Sequence, residues 1–125
     1  MTAQPKILHL PSAAQHAVGW TPLMVGELAA GESLPLALAA SEGEFVLEKV
    51  SMWRHAGGEL PYARPVSTEL FYLIEGHVRI EWERDSRLEA RAGDIVIVPV
   101  GFTGTWHTLE PVVKISVSAL PADER

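Results

Sequence analysis

An all-β fold of the sandwich or jelly-roll kind is what this sequence predicts, and three observations carry the prediction. After Gly76 the chain alternates strictly, with Val78, Ile80 and Trp82 on one side and His77, Arg79, Glu81 and Glu83 on the other. A period of two places one face in a core and the other in water. From Phe45 onward, short apolar or alternating segments recur between turn-forming residues, at Arg84-Asp85-Ser86-Arg87, Ala92-Gly93-Asp94 and Gly101 to Gly104. Short strands at regular spacing with glycine and proline turns are the pattern of sandwiches and jelly rolls. No stretch beyond residue 45 carries a helical period.

The elements follow in order. Residues 1–44 hold Pro5, Pro11, Pro22, Pro35 and an Ala/Leu-rich stretch from Leu28 to Ala40 broken by Gly31-Glu32-Ser33. They predict an irregular arm with one or two short strands packed on the body; a short helix over Leu34 to Ala40 is the competing expectation. Residues 45–120 are expected to form the barrel, and the whole of 1–125 a single domain. Phe45 to Trp53, rich in Val, Phe and Trp, predicts a strand. Glu69 to Ile74 is nearly continuous apolar, the pattern of a strand covered on both faces. Leu88, Ala90 and Ala92 alternate with Glu89 and Arg91. Ile95 to Val98 predicts a buried strand ended by Pro99, which lacks the ladder N–H. Val113, Ile115 and Val117 alternate with Lys114, Ser116 and Ser118 in a last strand, and Pro121 to Arg125 is a fraying tail.

Composition excludes several classes of function. The chain has no cysteine, so disulfides, thiolate nucleophiles and Cys-ligated zinc are out. Ten basic residues, scattered, stand against sixteen acidic ones for a formal charge of −6. A nucleic-acid partner is therefore not expected, since phosphate neutralisation needs a basic patch. The longest apolar run, Leu34 to Ala40, is broken by Pro35 and is far too short to span a bilayer. Lys6 followed by Ile7-Leu8-His9-Leu10-Pro11 is not a signal-peptide pattern. No membrane partner and a cytoplasmic location are the expectation. Phosphate-binding glycine loops and nucleophile elbows are absent.

Two segments resemble the signatures of the cupin superfamily. The spacing from Glu69 through six residues to Gly76 matches the end of the first signature. Gly93-Asp94-Ile95-Val96-Ile97-Val98-Pro99-Val100-Gly101 matches the second through its Pro-x-Gly. The resemblance spans residues 58 to 107 and implies a cupin double-stranded β-helix, a jelly-roll barrel with the irregular arm ahead of it. It also implies where metal ligands would stand. The His-x-His positions fall on Tyr62 and Arg64, or on Ala63 and Pro65, and the last ligand position falls on Gly104. Of the usual set only Glu69 remains, and one carboxylate does not hold a transition metal; no metal or other cofactor is expected. If Gly104 faces the barrel, parity turns Trp106 inward and His107 outward. A narrower resemblance rests on Pro99-x-Gly101-Phe102-x-Gly104-x-Trp106, on Lys114, and on Trp53 followed by Gly57-Gly58. It is to the small cupins related to ureidoglycine aminohydrolase and the ethanolamine-utilisation cupin, single barrels that are often homodimers. That aminohydrolase uses histidine-bound metal, so its activity does not transfer with the resemblance.

The candidate site residues are few. Glu69 shares parity with Phe71 and Leu73, and a carboxylate on an apolar face has its pKa raised by desolvation unless a cation is close. Arg64 is the nearest basic residue in the motif. Glu69, Tyr62 and Lys114 are the candidate catalytic groups, and Arg64, Trp53, Trp106 and His55 the candidate ligand-binding groups. A structural Arg–Glu pair, ordinary core aromatics and a solvent-facing Lys114 are the competing readings. The function expected is binding of a small polar or anionic metabolite in the barrel mouth, with acid–base or hydrolytic chemistry at Glu69; the alternatives are a non-catalytic binding or sensing cupin and a structural one. A homodimer is expected, because the Val46, Val50 and Met52 side of the first barrel strand, the arm and the two-sided apolar strand need cover.

Overall fold

The computed structural model describes residues 19–42 and 45–121, with the backbone alone for 35–42, 45–48 and 121. The expectations placed on 1–18 and on the tail from 122 lie outside the described residues. Among the described residues the regular structure is antiparallel strand: β1 (Thr21–Val25), β2 (Leu28–Glu42), β3 (Phe45–His55), β4 (Gly58–Ala63), β5 (Thr68–Trp82), β6 (Ser86–Arg91), β7 (Ile95–Val98) and β8 (Thr103–Pro121). No described helix is long and apolar enough to cross a membrane.

Two long strands, β5 and β8, tie the structure together because each serves two sheets. The second half of β8 pairs with β3 and with the first half of β5, which in turn pairs with β7. The first half of β8 pairs with β4 and with the second half of β5, whose other edge takes β6. The sheets face one another as in a jelly roll, with Phe71, Leu73, Val78, Ile80, Trp106 and Val112 buried between them. Gly76 stands at the crossing. It lies inside β5 rather than at a chain reversal, in a zone of repeated register shifts, with φ +102°. A Cβ there would stand 2.4 Å from the Pro111 carbonyl oxygen. Both the left-handed backbone and the close approach of β8 demand glycine.

The arm is more regular than its composition predicts. Leu34 to Ala40 is not helical but part of the fifteen-residue β2, paired with β3 from Glu32↔Arg54 to Glu42↔Phe45. The helix-forming tendency of Leu and Ala is overridden by an available sheet edge, since β3 would otherwise leave its ladder groups unpaired. Two further segments extend beyond expectation: β4 is a strand where none is predicted, and β8 runs nineteen residues through the region read as a turn at Gly104.

Polarity is inverted on the first sheet. Lys114, Ser116 and Ser118 are buried and face inward, so the apolar alternates Ile115 and Val117 face out. Cross-strand register lines up two apolar rows on the face turned away from the interior, buried at their β2–β3 end and exposed at their β5–β7 end. One runs Leu34, Met52, Ile115, Tyr72, Ile95, and the other Val50, Val117, Leu70, Ile97. The strand Glu69 to Ile74 is thus not covered on both faces: Leu70, Tyr72 and Ile74 are exposed, beside Ile95 and Ile97 at 63% and 65%. Val50 and Met52, expected to need cover, are already buried within the chain. Val46 has no described side chain.

Replacing Gly76 by Ala should cost about 2–3 kcal/mol, as expected for a side chain forced into that backbone region, or more because β8 must move. Urea unfolding checks this; a loss below 0.5 kcal/mol, roughly the size of an ordinary surface change, would refute the account of the crossing.

Candidate functional site

The inner wall of the first sheet is built in three cross-strand rows: Trp53–Lys114–Leu73, Ser51–Ser116–Phe71 and Lys49–Ser118–Glu69. Period-two geometry on β3, β5 and β8 points all of these side chains at the interior. Together with β4, the β4–β5 connection and β1 they enclose a cavity of about 550 Å³. That lies within the range of small-molecule sites.

Glu69, at 4% exposure, is the hub of the cavity. Lys114 Nζ donates to its Oε2 at 2.7 Å, and the Tyr62 hydroxyl donates to Oε1. Arg64 is more distant, its Nη1 3.8 Å from Oε1. Its Nη2 donates instead to Ser67 Oγ and Ser118 Oγ, and its Nε to the Ser67 carbonyl. The cation that pairs with Glu69 is therefore Lys114 from the last strand, rather than Arg64. Burial raises the Glu69 pKa, but the Lys114 ammonium and the hydrogen bonds to its oxygens win, and it falls to about 2. Ser116 stands close enough to help hold that charge, yet its hydroxyl completes no well-formed hydrogen bond. The Tyr62 phenol is pushed far up, first by burial and then by the adjacent carboxylate.

Lys114 is enclosed by rings. Its Nζ lies 4.6 Å from the Phe71 centroid, 4.8 Å from Trp106, 5.1 Å from Trp53 and 5.8 Å from Tyr62. Trp53 and Trp106 meet edge to face, and Trp106 meets Tyr62 the same way. Ring faces are electron-rich, so this cage favours a cation at its centre. The rings are themselves fixed: Trp53 Nε1 donates to the Ala30 carbonyl at 2.7 Å, and Trp106 Nε1 to Thr108 Oγ1 at 2.8 Å.

Six of the seven sequence-predicted residues meet here: Glu69, Tyr62, Lys114, Arg64, Trp53 and Trp106 all line the cavity. His55 does not. It stacks on Trp53 at 5.3 Å, bonds Thr108 Oγ1 through Nδ1, and opens onto a separate groove beside Arg54 and Glu75. Burial lowers its pKa. His107 faces outward, as parity predicts, and contacts Glu81 at 2.5 Å. The residues that sequence reasoning missed are Lys49, Ser51, Ser116 and Ser118, with Leu23 and Val25 from β1. Their signal was the shared parity of Lys49, Ser51 and Trp53 on one strand and of Lys114, Ser116 and Ser118 on its neighbour.

The donor set does not fit a cupin metal. Among the described residues no three His, Asp, Glu or Cys side chains come together to hold one. Glu69 has both oxygens engaged. At Gly104 a Cβ would stand 2.2 Å from the Glu81 carbonyl oxygen, so even the backbone there leaves no room for a ligating side chain. An ammonium from the chain lies against the carboxylate instead.

A jelly roll whose two sheets enclose a polar-walled cavity, with a buried carboxylate as the survivor of the ligand positions, defines a cupin. Residues 43–115 match the model of the EutQ-like cupin domain, more than half of the chain, and the protein belongs to that family. Solved structures agree on the fold. The putative ethanolamine utilization protein Q of Salmonella typhimurium LT2 is 17% identical with a TM-score of 0.58, covering 82% of this chain and 94% of that one. The EutQ protein of Clostridium difficile is 15% identical with a TM-score of 0.54, covering 75% and 71%. A DUF861 family protein from Thermotoga maritima is 29% identical with a TM-score of 0.50, covering 52% and 73%. No curated protein matches the chain.

Because the Glu69 pKa is depressed, its ionised form stabilises the fold. The contribution is complete above the ordinary value of 4.5 and is lost as pH falls toward about 2. Stability curves of wild type and Glu69→Gln should therefore converge across that acid window; parallel curves would refute the pairing. Lys114→Met should cost about 3–5 kcal/mol, as for a buried pair broken from one side. The double variant Glu69→Gln with Lys114→Met should recover part of that loss in urea unfolding.

Proposed function

We propose that the protein binds a small polar or anionic metabolite in the mouth of its barrel. The observation that carries this reading is the cavity of about 550 Å³ with the Tyr62–Glu69–Lys114 unit in its wall. Buried charge held this way is costly to build, and strongly perturbed groups in a cleft are typical of functional sites. Arg64 and the two tryptophans supply a cation and aromatic faces beside it. No metal or other cofactor takes part in this reading.

A second reading, turnover of the bound molecule, is favoured by one observation. The Tyr62 phenol keeps its proton and donates to the ionised Glu69, so a proton donor and an acceptor stand side by side, although a carboxylate held at about 2 is a weak base. Proton transfer or hydrolysis at a small metabolite is the chemistry such a pair could run. Against it, both Glu69 oxygens are already hydrogen-bonded, which suits binding or sensing better. The histidine-bound metal of the ureidoglycine aminohydrolase kind has no place in either reading.

The partner proposed for the outer face is a second copy of the chain. Leu70, Tyr72, Ile95 and Ile97 form an exposed apolar surface at the edge of the two cross-strand rows, and large patches of this kind mark association sites. Two copies related by a two-fold axis would each cover the other's patch.

A thermal-shift screen of ureido, amide, sugar and organic-acid compounds should find ligands that raise the melting temperature, and Glu69→Gln should abolish the shift. A screen in which Glu69→Gln shifts like wild type would remove Glu69 from the site. Light scattering at micromolar concentration should give twice the chain mass, and Ile97→Glu should halve it; a wild-type monomer would refute the dimer.

A further inference from the structure

The cavity divides chemically into two parts. Among the described residues three cations, Lys49, Arg64 and Lys114, line it against a single carboxylate, Glu69. This excess is opposite in sign to the chain as a whole, which carries −6. Lys114 is neutralised by Glu69 at 2.7 Å, whereas Arg64 reaches that carboxylate only at 3.8 Å and spends its hydrogen bonds on neutral serines. Lys49 has no carboxylate partner among the described residues. Among the described lining residues the one carboxylate, already paired with Lys114, leaves a net positive charge at Arg64 and Lys49.

Ser116 adds an independent observation. At 6% exposure its hydroxyl lines the cavity beside Glu69 but completes no well-formed hydrogen bond there. A buried hydroxyl left unmatched costs free energy, and a ligand oxygen would remove that cost. Much of the remaining lining is apolar. Trp53, Trp106 and Leu60 form one side, and β1 contributes Leu23 and Val25. These two are 39% and 45% exposed although they border a cavity, so an apolar ligand body would cover them.

We propose that the ligand is an amphipathic monocarboxylate, its carboxylate received by Arg64, Lys49 and the Ser116 hydroxyl, its hydrocarbon body lying against Trp53, Leu60 and the β1 wall. This deepens the binding reading above and rests on it. Neutral ureido or amide compounds leave the two cations unmatched. Inorganic oxyanions match the cations but leave Leu23 and Val25 in water.

Calorimetric titration of the full-length protein with hexanoate, benzoate, hexanamide, benzamide and sulfate tests the proposal. The carboxylates should bind at least about tenfold more tightly than their amides, the size expected of a charged hydrogen bond in a closed site. Arg64→Gln should remove about tenfold of that affinity and Ser116→Ala about five- to tenfold. Leu23→Asp, on an exposed strand whose loss of apolar area spares the core, should weaken hexanoate more than propionate. Amides that bind as tightly as carboxylates would overturn the anionic class while leaving the small-molecule reading intact. Sulfate equal to hexanoate, or equal losses for hexanoate and propionate in Leu23→Asp, would overturn the amphipathic one. Silence from all five probes would overturn the proposal, and only a silent thermal-shift screen would overturn the binding reading with it.

Discussion

The pairing of Glu69 with Lys114 is the constraint on which the interior of this barrel depends. A carboxylate this deeply buried is tolerable only with a cation and hydrogen bonds at its oxygens. Here the cation comes from the chain itself, on the last strand, two cross-strand rows away. To place it there, β8 must present its polar alternates inward, and this carries Ser116 and Ser118 into the cavity with it. The same choice of face sends Ile115 and Val117 outward. One ion pair thus accounts both for a polar cavity and for an apolar exterior on the first sheet.

The aromatic cage follows from the same pair. An ammonium whose third and fourth neighbours are ring faces rather than water keeps its charge at low cost, because ring quadrupoles replace part of the lost hydration. Trp53, Phe71 and Trp106 are accordingly more than filler between the sheets. They also shape the cavity, since the rings that surround Lys114 on one side form the apolar side of the space beyond it. Glu69, the one carboxylate left of the cupin ligand positions, meets the chain's own ammonium, and rings surround that ammonium on its other sides.

Much of this was legible in the sequence. The period-two alternation after Gly76 gave β5 and β6 their faces, the Glu–six–Gly and Gly–Pro–x–Gly spacings placed the cupin barrel, and motif positions picked out Glu69, Tyr62 and Arg64. These readings worked because they rest on local rules: side-chain period, turn chemistry and fixed spacing within a strand. They failed where a local rule met a distant partner. Leu34 to Ala40 has helix-forming residues but lies on the free edge of β3 and pairs there. Glu69 to Ile74 looks two-sided because Leu70, Tyr72 and Ile74 are apolar, yet that side faces out.

The sequence by itself determined that this chain is an all-β cupin and that its ligand positions, apart from Glu69, carry no metal-binding side chain. Only the tertiary structure decided which face of β8 looks inward, because alternation gives two faces and never says which is inside. It also decided that Lys114 rather than Arg64 neutralises Glu69, and that His55 stays outside the cavity. Those are facts of cross-strand register and of distances between residues some forty-five and fifty positions apart, such as Glu69 with Lys114 and His55 with Thr108. No local pattern encodes them.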